Sequence, residues 1–153
     1  MEEVKAALYV GTQHLHSVLR WAVLILLVVA IVRAFQKRGG GTVYPGKDKF
    51  ALYALIVTHV QLLLGLVLYL WLSPLVRFEG DVMGNAVTRF YTVEHITGML
   101  IAITLITIGY ARAKRQAEMN KGWKTIGIFY TLGLLLILAS IPWPFRIPGA
   151  GWF

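Results

Sequence analysis

The chain has 153 residues and a net charge of +8, and 58% of its residues are hydrophobic while only 14% are charged. Soluble domains carry about 25% charged residues, so this composition excludes an ordinary soluble domain and indicates an integral membrane protein. The sequence contains no cysteine, which excludes disulfides and thiolate metal sites.

Four apolar segments follow one another, and each is long enough to span a hydrocarbon core, which needs about 20 helical residues. They cover about 7–35, 49–73, 89–112 and 124–141. The connections are short, so neighbouring helices run antiparallel, and we predict a single all-α domain, an up-down-up-down four-helix bundle. Residues 142–153, "PWPFRIPGAGWF", are too rich in Pro and Gly for a helix and predict an irregular outer tail.

The basic residues are concentrated in the first and third connections. They are Arg33, Lys37, Arg38, Lys47 and Lys49, then Arg112, Lys114, Arg115, Lys121 and Lys124. The positive-inside rule places both connections in the cytoplasm and both termini outside. This distribution accounts for the positive charge without a nucleic-acid partner. The acidic start "MEEVKAALYV" is unlike a cleavable signal peptide, so we expect the first segment to stay in the membrane.

Ionisable side chains within spanning segments usually mark function. His16 and Arg20 lie near the outer end of the first segment, and His95 lies roughly 9 Å below Arg89 in the third, by helical rise. Two imidazoles at one depth on two helices can ligate a haem iron within a four-helix bundle. We expect Arg20, Arg89 and Arg77 to be available for the haem propionates and Gly98 to leave room beside the ring.

Other polar residues leave alternatives open. His59 is deeper in the second segment, where it could ligate a second iron, hydrogen-bond a neighbouring helix or contact a quinone headgroup. Met99 could supply a thioether, although packing is the commoner role of such a residue. Glu94 is expected to form an ion pair with Arg20 or Arg89, the alternative being a proton carrier. His14 is expected to be an interfacial residue.

The stretches "HLHSVLRW", "THVQLLLGLVLY", "TRFYTVEHITGML" and "ILASIPWPF" resemble those of small four-helix bacterial membrane proteins labelled cytochrome b-like. The resemblance extends over nearly the whole chain. It implies a haem b protein of the cytoplasmic membrane in which His16, His59 and His95 are the matching histidines. The fourth segment has no histidine, unlike di-haem cytochromes b, so the number of haems, one or two, stays open.

The leading hypothesis is a haem b electron-transfer protein that exchanges electrons with a quinol or serves as a respiratory-complex subunit. No nucleophile with a matching base stands out, so we expect an electron carrier or accessory subunit rather than an independent enzyme. The alternatives are a cofactor-free structural or assembly subunit, a copper or other metal site of His14, His16 and His95, and a transporter or proton channel. Expected partners are the lipid bilayer and other membrane subunits.

Overall fold

The computed structural model describes residues 1–152, which form four helices and their connections and include no β-strand. The helices are α1 (Glu2–Gly39), α2 (Lys49–Leu72), α3 (Ala86–Lys114) and α4 (Lys121–Ser140). Each is long and apolar enough to cross a membrane. The predicted all-α membrane bundle of four packed helices is therefore confirmed.

α1 is longer than the predicted span at both ends. Its 38 residues correspond to about 57 Å of helix, well beyond a hydrocarbon core of about 30 Å. Glu2 and Glu3 occupy its first turn, and Lys37 and Arg38 its last turn. These charges complement the helix dipole, so polar residues outside the apolar segment remain helical. α1 is therefore longer than crossing a hydrocarbon core requires.

Side-chain caps determine where α2 and α3 begin. α2 begins after Asp48, whose carboxylate accepts hydrogen bonds from the amides of Phe50 and Ala51 at 3.1 and 3.0 Å. The same carboxylate forms a 2.7 Å ion pair with Arg33 and so ties α1 to α2. α3 begins three residues before the predicted span because the Asn85 side chain caps its first turn.

The packing places α1 and α3 on a diagonal of the bundle. α1 packs against α2 and α4, while α3 packs mainly against α4. Small residues allow the closest contacts: a Cβ at Gly133 of α4 would lie 2.6 Å from Cγ1 of Ile106 on α3. Leu27 of α1 and Ile126 of α4 are fully buried in the shared core. The two helices that carry His16 and His95 are thus held apart by the other two.

Large apolar side chains cover much of the outer surface of the bundle. Val18 and Ile25 of α1, Leu63 of α2 and Leu135 of α4 are all exposed. On spanning helices such a surface faces lipid, so the chain is a multi-pass membrane protein in contact with the bilayer.

Two helices contain a π-helical turn, Leu68–Leu72 at the end of α2 and Phe90–Glu94 within α3. Beyond α4, residues 141–152, here called the tail, form turns and fold against the bundle, with Ile141 and Ile147 buried. The end of the bundle that carries the tail and residues 73–85 is called the tail end. Both π turns lie at this end, and such turns often mark functional sites.

Candidate functional site

A cavity of about 390 Å³ lies at the tail end of the bundle. Helices α1, α2 and α3 supply most of its lining, and Gly149, Ala150 and Gly151 of the tail line it as well. Along α1 the lining runs from Tyr9 to Val23, which is roughly 20 Å by helical rise. The volume is within the range of about 300–1,000 Å³ that is typical of small-molecule sites.

His16 and His95 both line this cavity. Their ring centres are 6.4 Å apart and their planes are inclined by 72°. When two imidazoles bind one metal ion, each nitrogen lies about 2 Å from the metal. With the distance from each nitrogen to its ring centre added, the two ring centres are roughly 6 Å apart. The structure thus brings together the two histidines that the sequence places at one depth, at a separation that a single metal ion can bridge.

His95 is the first residue after the π turn of α3, and its ring is oriented by α4. Its Nδ1 lies 2.7 Å from the backbone carbonyl of Ser140. A carbonyl only accepts hydrogen bonds, so Nδ1 carries the hydrogen and Nε2 carries the lone pair. Gly98 permits this approach, because a Cβ at that position would collide with the side chain of Ser140. The contact with the Ser140 carbonyl therefore leaves the lone pair of His95 Nε2 free to bind a ligand.

His16 is held from the opposite side by α2. The side-chain amide of Gln61 donates a 2.8 Å hydrogen bond to the backbone carbonyl of His16. Gly65, one turn further along α2, provides space for the imidazole, because a Cβ there would lie 3.1 Å from Cε1 of His16. Nδ1 of His16 and Oε1 of Gln61 are both buried without a hydrogen-bond partner among the described residues. The site therefore contains two buried polar atoms with unused hydrogen-bonding capacity.

Arg20 supplies a buried positive charge to the same cavity, where it is 9% exposed. Its Nη2 donates a 2.6 Å hydrogen bond to the backbone carbonyl of Trp152, and its Nε has no partner among the described residues. The guanidinium carbon is 5.6 Å from the ring centre of Trp21 and 5.9 Å from that of Trp143. None of the described residues lining the cavity is Asp or Glu. An anionic group on a ligand would therefore be stabilised here.

Three residues predicted to border a cofactor lie elsewhere in the structure. Arg77 is in the connection between α2 and α3 and does not line the cavity. Arg89 does not line the cavity; it forms a 2.8 Å ion pair with Glu94 and donates to the carbonyl of Met83 at 3.0 Å. The ion-pair prediction for Glu94 is confirmed, with Arg89 rather than Arg20 as its partner. Gly98 faces α4 instead of the cavity. The glycine beside a cavity histidine is Gly65.

The remaining histidines are separate from the cavity. Nδ1 of His59 lies 2.8 Å from the carbonyl of Leu55, and its Nε2 lies 3.4 Å from the Thr107 hydroxyl on α3. His14 is exposed and does not line the cavity. Within residues 1–152, no three His, Asp or Glu side chains cluster closely enough to hold a metal ion. A metal site of three histidines that includes His14 therefore has no structural support.

The fold and site together define a multi-pass α-helical membrane protein with an internal cavity that two histidines and one arginine line. Comparison with protein-family models, curated proteins and solved structures finds no match to the chain.

Proposed function

We propose that this chain is a membrane haem b protein in which His16 and His95 would hold the iron of one haem. The observation that carries the proposal is the 6.4 Å separation of the two imidazole rings within one cavity. The residues that line the cavity fit the group: Nε2 of His95 has a free lone pair, and Gly65 leaves space for the ring of His16. Imidazole pairs in helical bundles are a common form of haem ligation.

The rest of the cavity suits a ligand with a flat apolar body and an anionic edge. Leu62, Met99 and Ile103 supply apolar walls. Arg20 supplies the cation that would bind a propionate, and the Trp152 carbonyl now occupies one of its donors. Because the guanidinium stays charged at all physiological pH values, it would hold a carboxylate strongly in this buried position. We assign a propionate role to Arg20 and none to Arg89.

The proposed role is electron transfer. Bound haem supplies one-electron redox chemistry at its iron. The chain's own residues would hold the iron through His16 and His95, surround the apolar body with side chains such as Leu62 and Ile103, and compensate negative charge at Arg20. We propose that electrons are exchanged with a quinol or a neighbouring respiratory subunit. The proposed location is the bacterial cytoplasmic membrane, with both termini on the outer face.

A difference spectrum of the purified protein tests this proposal. Wild type expressed with ample haem is expected to show a sharp b-type α-band in the reduced-minus-oxidised spectrum. His16→Ala and His95→Ala should lose most of the bound haem, whereas His14→Ala is the matched control and should retain it. Colourless wild-type protein, monodisperse in detergent after haem-replete expression, would reject haem binding. It would favour a cofactor-free subunit if the chain copurified with a larger complex.

A further inference from the structure

We propose that Gln61 is a positioning residue for His16, with its side-chain oxygen accepting the Nδ1 hydrogen of the imidazole so that Nε2 is the ligating atom. The inference rests on the proposed haem function but concerns a helix that contributes no ligand. Gln61 of α2 would then accept the Nδ1 hydrogen of His16, as the Ser140 backbone carbonyl of α4 accepts that of His95.

The first support is the existing contact between the two residues. Gln61 already donates to the His16 backbone carbonyl at 2.8 Å, although the two lie 45 residues apart in the sequence. This hydrogen bond occupies only the amide nitrogen. The amide oxygen, Oε1, is buried and has no partner among residues 1–152. A buried acceptor without a partner is energetically unfavourable, so a hydrogen bond to it would stabilise the site.

The second support is the complementary atom on His16. Its Nδ1 is also buried without a partner in the described part of the chain. In a neutral imidazole, one nitrogen carries a hydrogen and the other a lone pair. A hydrogen on Nδ1 would satisfy Oε1 of Gln61 and leave the lone pair on Nε2. The two atoms are not bonded to each other in the structure, so the bond requires rotation about the terminal torsions of the two side chains, which are soft.

The third support is the parallel with His95. There, the Ser140 carbonyl fixes the hydrogen on Nδ1 and leaves Nε2 for a ligand. Metal-bound histidines nearly always donate their second nitrogen in this way, and the hydrogen bond makes the ligating nitrogen more basic. Gly65 lies one turn from Gln61 on the same face of α2 and gives the His16 ring its space. Gln61 contacts His16 and has a free acceptor that can form the equivalent bond.

Two substitutions separate a hydrogen-bonding role from simple packing. Gln61→Leu removes both amide functions, whereas Gln61→Glu keeps an oxygen that can accept from Nδ1. We expect Gln61→Leu to weaken haem binding about 10- to 100-fold and to raise the midpoint potential, because the ligand becomes less basic. Gln61→Glu should hold the potential at the wild-type value or lower it. Gln36→Leu, an exposed position on α1 at the opposite end, is the matched control.

A rise in potential for both Gln61 variants, or for neither, would overturn the inference. A second measurement is independent of haem. In the haem-free protein at pH 8, where a histidine with the ordinary pKa of about 6.5 is neutral, ¹⁵N NMR should find His16 with its hydrogen on Nδ1. Gln61→Leu should lose this preference. If the hydrogen is on Nε2 of His16 in the wild-type protein, the role of Gln61 is rejected. If the wild-type protein is colourless but has the hydrogen on Nδ1, only the haem assignment is rejected.

Discussion

Replacement of Gly65 by alanine tests how closely α2 controls the position of His16. A Cβ at this position would lie 3.1 Å from Cε1 and 3.7 Å from Nδ1 of the His16 ring. Ordinary contacts between carbon atoms are about 3.5–4.0 Å, so the ring or the helix must move by about 0.4–0.9 Å. Functional sites tolerate displacements of about 0.5 Å. We therefore expect Gly65→Ala to weaken haem binding about 10- to 100-fold.

The assay is titration of haem into the detergent-solubilised apoprotein, followed by the spectrum of the oxidised complex. Gly11→Ala is the matched control, because it makes the same change in α1 at a position where a Cβ would meet nothing within 4 Å. Both variants gain the helix propensity of alanine, up to about 1 kcal/mol, so the difference between them isolates the contact with His16. Equal haem affinity in Gly65→Ala, Gly11→Ala and wild type would refute the reasoning.

Two further predictions concern the connection between α1 and α2, away from the cavity. Asp48→Ala should lower the free energy of unfolding by about 1–2 kcal/mol, because α2 loses its cap and the partly exposed Arg33 loses its partner. Asp48→Asn keeps a capping oxygen, so thermal unfolding should show a smaller loss of stability. Unchanged stability in both variants would contradict the assignment. Burial raises the pKa of Tyr44 to about 12, whereas an unfolded tyrosine titrates near 10. The unfolded chain therefore releases the proton first, so stability should fall as pH rises from about 10 to 12. Tyr44→Phe should reduce that slope, and parallel unfolding curves for the two proteins would contradict the prediction.

The spanning helices were predictable from the sequence because the bilayer imposes a simple rule. A segment in hydrocarbon must be apolar for about 20 residues and must satisfy its own backbone hydrogen bonds, so it is a helix. Hydropathy therefore located all four spans. The helix ends in the structure differ from the predicted ends where charged or capping residues extend the helix. Glu2 and Lys37 lie outside any apolar pattern yet belong to α1, because charges that complement the helix dipole prolong it.

The details of the site were less predictable because they depend on helix rotation and on long-range contacts. Arg20 and Arg89 are both arginines near a segment end, but Arg20 is 9% exposed in the cavity and the side chain of Arg89 is 38% exposed beside Glu94. The π turn before His95 leaves no signature in hydropathy. The hydrogen bond of Gln61 joins it to a residue 45 positions away, and no local sequence pattern contains that contact.

The arrangement of contacts assigns different tasks to the four helices. α1 and α3 carry His16 and His95 but lie on a diagonal, so they do not fix the distance between the two rings by direct packing. That distance depends on the neighbouring helices: Gln61 of α2 holds His16, and Ser140 of α4 holds His95, each from 45 residues further along the chain. In each half of the molecule, the second helix thus positions the histidine of the first. A change in how α2 or α4 packs would therefore alter the 6.4 Å separation without touching either histidine.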